Sequence, residues 1–158
     1  MTQAVVAGAI AVATLNAIAG SIGAWSWFRP VSGVEQQGRA AAAFWVALRV
    51  GQGSALMLAI AVGSLAAAGK RPDESLFYLY ALLPLAVAFI AEQLRAASAQ
   101  TILDQRGLES AQAVGELPEA EQHELLAAVL RRELGVMTLS AFVVVFLALR
   151  AAGTAHGF

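Results

Sequence analysis

Four long apolar stretches decide what this chain can fold into. They lie at about 4–28, 41–69, 76–97 and 134–151. Each is close to or above the roughly 20 helical residues needed to cross about 30 Å of hydrocarbon. Within a bilayer every backbone N–H and C=O must be bonded inside the protein, so only helices or closed barrels can span it. The apolar runs are continuous rather than alternating, which selects helices. The expected fold is therefore all-α: an integral membrane four-helix bundle, a single domain over 1–158, with helical extensions into the cytoplasm. Composition agrees. Only 13% of residues are charged and 59% are hydrophobic, against about 25% charged in soluble domains.

The first stretch reads as a retained span rather than a signal peptide. No Lys or Arg precedes Arg29, so the basic leading region is missing, and the apolar run exceeds a typical signal core. Basic residues set the expected orientation. Arg29, Arg39, Arg95, Arg106, Arg131 and Arg132 flank the first and third connections, whereas Lys70, Arg71 and Arg150 lie at the opposite side. The excess of Lys and Arg marks the cytoplasmic side, which puts both termini on the non-cytoplasmic side. Trp25, Trp27, Phe28 and Trp45 fall at one interface, and Phe77, Tyr78 and Tyr80 at the other.

Pro30, Gly33 and Gly38 are expected to break the first connection. Gly69, Pro72 and Asp73 form a tight turn, with Ser75 as the expected N-cap of the third helix. So short a turn makes spans two and three antiparallel neighbours. Pro84 sits inside span three, where its ring removes one backbone hydrogen bond. The third connection is long and polar from Ser98 to Glu116, with breaks at Gly107 and Gly115. After Pro118, an amphipathic segment at about 117–133 carries Leu125, Leu126, Val129, Leu130 and Leu134 at helical spacing. It is expected to run on into span four as one helix from Pro118 to Ala151.

On span two, Gly51, Ala55, Ala59, Gly63 and Ala67 recur every four residues. Such a small-residue seam lets a second helix approach closely, either span one (through Ala9, Ala13, Ala17 and Ser21) or a second copy in a homo-oligomer. Span four, with FVVVFL over Phe142–Leu147, is expected to be peripheral and lipid-facing.

Polar residues within the spans are the candidate site. Counted inward from the tight turn, Arg49 and Glu92 reach a similar depth on antiparallel neighbours, so an Arg49–Glu92 pair is expected. Gln52 lies one turn from Arg49. Gln93 adjoins Glu92, Arg95 and Glu133 lie nearby, and Asn16 reaches this level from span one. The candidate ligand-binding set is Arg49, Gln52, Glu92, Gln93 and Asn16. Trp45 places Arg49 about one turn from the interface, which suits pairing and snorkelling as well as headgroup binding.

Other chemistry finds little support in the residues. There is no cysteine, which removes thiol catalysis and thiolate metal sites. His123 with Glu119 makes an incomplete metal set, and no serine has a histidine at comparable depth. No catalytic residue, metal or cofactor is assigned. A net charge of −1 recruits no nucleic acid. The size and four-span plan resemble the trimeric membrane enzymes of eicosanoid and glutathione metabolism. That family carries Arg, Asn and Glu at fixed spacing in its second span; here Arg39 and Arg49 are present but the Asn and Glu partners are absent, so the resemblance implies no site residues. The fluoride-channel family is similar in length, without its aromatic and Asn motifs. Two functional readings follow. The first is a non-enzymatic accessory or scaffold subunit, or an oligomeric channel or carrier, with the lipid bilayer and a homo-oligomer or larger membrane complex as partners. The second is an integral membrane enzyme or lipid- or amphipathic-ligand-binding protein using an Arg49–Gln52–Glu92 pocket.

Overall fold

The computed structural model describes residues 2–28, 34–108 and 111–156. Arg29, Pro30 and Gly33 of the first connection lie outside the described residues. The helices are α1 (Thr2–Phe28), α2 (Val34–Ala67), α3 (Leu76–Gln105), α4 (Ala111–Gly115) and α5 (Glu119–Thr154). Among the described residues there is no strand. Four helices are long and apolar enough to cross a membrane: α1, α2 from Arg39, α3 and α5. The protein is an all-α membrane four-helix bundle.

The bundle closes as a ring. α1 packs on α5 and α2, α3 packs on α5 and more sparsely on α2, and the diagonal pair α2 and α5 barely touch. Why these faces meet is visible in the buried residues. On α1 the line is Val5, Ala9, Val12, Asn16, Ala19 and Gly23. On α2 it is Phe44, Leu48, Gly51, Ala55, Leu58 and Val62. On α5 it is Met137, Ala141, Val144, Ala148 and Ala151. Each advances by alternating steps of four and three. Those steps average 3.5 residues, close to one helical turn, so the line stays on one face and seats side chains knobs-into-holes. On α3 Phe77, Ala81 and Pro84 follow the same rule, and Ala91, Ser98 and Ile102 continue it.

This register corrects two expectations. A strict four-residue repeat turns by about 40° per step on a helix of 3.6 residues per turn. The seam of span two therefore rotates out of the interface. Gly51, Ala55 and Ala59 are buried, whereas Gly63 and Ala67 are exposed, and a Cβ added at Gly63 meets no atom within 4 Å. The packed partner of the seam is α1, through contacts such as Leu58 against Gly8 and Asn16 against Gly51. Span four is also not peripheral. α5 makes the two most extensive interfaces of the bundle, because its buried four–three line is rich in alanine (Ala141, Ala148 and Ala151), which lets neighbouring helices come close. Phe142 itself lies against Gly20, where a Cβ would stand 3.0 Å from the ring.

Smaller corrections concern the connections. Gly38 lies within α2 rather than breaking it; one glycine costs a helix about 1 kcal/mol relative to Ala, too little to stop so long a run. Gly69 takes the left-handed conformation (φ +77°) that the tight turn needs. Ser75 occupies the N-cap position of α3 without a side-chain capping bond. Phe77 is core rather than interfacial. The C-terminal segment is tied back, since the Asp73 N–H donates to the His156 carbonyl at 2.9 Å. α5 is continuous over 36 residues, about 54 Å at 1.5 Å per residue, well beyond the hydrocarbon thickness. It therefore projects with α3 at the Trp45 end, where Arg106 and Glu124 join the two at 3.1 Å.

Candidate functional site

At the Trp45 end the charged residues of three helices form one connected chain. Arg49 and Gln52 stand three apart on α2, and Glu92 and Arg95 three apart on α3, so each pair occupies one face. From the tight turn, Arg49 is 18 residues inward of Ala67 and Glu92 is 16 inward of Leu76, about 27 and 24 Å along the helices. The two levels therefore match.

Arg49 Nη1 donates to Glu92 Oε1 at 2.6 Å and to Gln52 Oε1 at 2.7 Å. Gln52 Nε2 donates to the same Glu92 oxygen at 3.4 Å. The other carboxylate oxygen, Oε2, accepts from Arg95 Nε at 2.9 Å. Arg95 Nη1 then reaches Glu133 Oε2 on α5 at 3.8 Å, while its guanidinium lies 5.3 Å from the Trp45 ring centroid, within cation–π range. Two arginines and two glutamates cancel in formal charge. Both oxygens of Glu92 are engaged, by three donors, and Arg95 links α3 to α2 and α5. The Arg49 side chain remains 54% exposed and that of Glu92 25%, so the chain lies at the rim of the bundle rather than at its centre.

Beside it, α2 and α3 leave a cleft of about 280 Å³ lined by Gln52, Gly53, Leu56, Leu85, Ala88, Phe89 and Glu92. Its only polar side chains are Gln52 and Glu92, at one end. The sparse contact between α2 and α3 keeps it open.

The structure thus brings Arg49, Gln52 and Glu92 together and separates the other two candidates. Gln93 is exposed, one residue and about 100° around α3 from Glu92. Asn16 is buried between α1 and α2; its Nδ2 donates to the carbonyls of Val12 at 2.9 Å and Gly51 at 3.3 Å. Gly51 is two residues, about 200°, from Arg49. Asn16 therefore has the expected depth but faces the far side of α2. Arg95 and Glu133, noted only as neighbours, complete the chain. Glu92 and Arg95 at i, i+3 were the signal for the first; Glu133 required the packing of α5. Trp45, read as an interface marker, also stacks on Arg95. Outside this cluster, His123 Nδ1 donates to the Glu119 carbonyl at 2.7 Å. Among the described residues no group of three or more His, Asp and Glu is placed to hold a metal.

No protein-family model, curated protein or solved structure matches the chain.

Proposed function

We propose that the chain is a non-enzymatic membrane subunit, a scaffold or accessory component of a larger membrane assembly. One observation carries this reading. The charged side chains of the candidate site satisfy one another across α2, α3 and α5. Both oxygens of Glu92 are held by neighbouring side chains, Arg49, Gln52 and Arg95, an arrangement that suits fastening rather than proton abstraction. Such a chain fastens α2 to α3, whose mutual contact is otherwise sparse. The projecting part of α5 supports the partner-facing half of the proposal, because Leu126 and Leu130 are exposed one turn apart on it, beyond the apolar belt of the spans. The excess of basic residues at that end, six against three, supports a cytoplasmic projection with the termini opposite.

The test is native electrophoresis and in situ cross-linking of membranes solubilised in a mild detergent. A scaffold subunit migrates well above the 16.4 kDa chain, and Leu126→Glu with Leu130→Glu releases it as the free chain. Migration as a lone chain before and after cross-linking contradicts the proposal.

The cleft beside Gln52 and Glu92 favours a second reading, the binding of an amphipathic ligand with its polar end at those residues. Under that reading Leu85→Phe, which fills the cleft, abolishes ligand retention and leaves the assembly intact.

A further inference from the structure

A second cleft, of about 740 Å³, opens where the end of α1 meets α5, and is lined by Trp27, Ala128, Arg131, Arg132, Gly135, Val136 and Leu139. Its α5 wall is a single face, since 128, 132, 135, 136 and 139 are linked by steps of three and four. The two arginines occupy the projecting end. From the next turn on the wall is wholly apolar, through Gly135 and Val136 to exposed Leu139, about 10 Å along the helix from Arg132. The Trp27 indole lies directly over Gly135, where an added Cβ would overlap the ring. The glycine thus seats an amphipathic ring at the junction of the polar and apolar halves.

Charge distinguishes this cleft from the Arg49 cluster. There each arginine has a carboxylate. Here Arg131 and Arg132 are exposed and neither makes an ion pair among the described residues. The nearby acids are committed elsewhere, Glu133 to Arg95 and Glu124 to Arg106. The cleft therefore carries two positive charges with no ion-pair partner among the described residues, above an apolar slot at the level of the tryptophans Trp25, Trp27 and Trp45.

We propose that this cleft binds one anionic phospholipid of the bilayer. The phosphate sits between Arg131 and Arg132, the glycerol backbone lies against the Trp27 indole, and an acyl chain runs over Val136 and Leu139. Arginine favours the phosphate because its planar donors match the oxygens in pairs. An unpaired basic residue near a membrane surface gains about fivefold in affinity for anionic lipid, so the pair gains roughly 25-fold.

The experiment uses the full chain in nanodiscs of equal parts phosphatidylglycerol and phosphatidylcholine. Lipid retained after gentle extraction is counted by native mass spectrometry. The expected result is one retained phosphatidylglycerol in clear preference to phosphatidylcholine, lost in R131Q/R132Q and kept in R150Q, whose arginine lies over Tyr80 at the other end. In the unaltered chain, retention falls as salt is raised. Soluble glycerophosphate does not displace the lipid. Equal retention of both lipids, retention unchanged in R131Q/R132Q or at high salt, or an equal loss in R150Q overturns the proposal. Displacement by glycerophosphate alone assigns the site to free phosphates and overturns the lipid assignment.

Discussion

Arg49 Nη1 lies 2.6 Å from Glu92 Oε1, across the most weakly packed of the four neighbouring helix pairs. Where side chains interdigitate sparsely, polar contacts carry more of the task of holding two helices in register. The same carboxylate also holds Arg95 on its other oxygen, so a single residue on α3 organises both arginines.

Two glycines of α2, only two residues apart, are expected to behave oppositely. A Cβ at Gly51 would stand 2.8 Å from Asn16 Oδ1, whereas at Gly53 it meets nothing within 4 Å. Gly51→Ala is expected to cost roughly 1–3 kcal/mol through overpacking. Gly53→Ala is expected to be neutral or to gain up to about 1 kcal/mol from helix propensity. Reversible unfolding in detergent, followed by circular dichroism, measures both.

The contrast shows how far the sequence could be read. Depth along a helix is counted directly, so the Arg49–Glu92 pairing was legible from two distances to one turn. Position around the helix is not counted so simply. Asn16 has the depth of Gly51 but lies behind α2, and the four-residue seam of small residues drifts off the interface by Gly63. The four–three line on α5 was hidden because Met137, Val144 and the three alanines that share their face are unremarkable beside FVVVFL. Which of several apolar lines is buried depends on the partner helix, and that information is not local.

The register of α5 gives a second prediction. Ala148 is 1% exposed, while Leu149 is 53% exposed. Ala148→Leu is expected to destabilise by roughly 1–3 kcal/mol, since it forces side-chain volume into a close helix contact. Leu149→Ala is expected to change stability by less than about 1 kcal/mol, because lipid tails replace the lost contacts. The same unfolding measurement separates them. Equal sensitivity at both positions contradicts the observed register.

Thr138 offers a third. Its hydroxyl is buried with no hydrogen-bond partner among the described residues, close to Gly23 and the Phe44 ring. Replacing an unsatisfied buried hydroxyl by a methyl of similar shape removes a desolvation penalty. Thr138→Val is therefore expected to raise stability slightly, by up to about 1 kcal/mol, read as a higher unfolding midpoint. A marked loss on substitution contradicts the view that the hydroxyl has no partner.

The role of the charged chain predicts an asymmetry between its members. Arg49→Met leaves Glu92 still paired with Arg95 and, being at an exposed rim, costs about 1 kcal/mol. Glu92→Leu removes the shared acceptor of both arginines, leaving Arg95 only Glu133 and Arg49 only Gln52, and costs more, roughly 1–2 kcal/mol. Unfolding midpoints of the two single variants, measured in one detergent, check the order. The reverse order contradicts the central place of Glu92.

A double-mutant cycle on Arg49 and Glu92 reaches the central claim most directly. It uses R49M, E92L and the double variant, with R49M and Q93L as the adjacent control. If the pair fastens α2 to α3, the Arg49–Glu92 coupling is about 1 kcal/mol, and the Arg49–Gln93 coupling lies below about 0.3 kcal/mol. Additive effects in the first cycle, or equal coupling in both, would contradict the assignment of this pair as the fastener of the bundle.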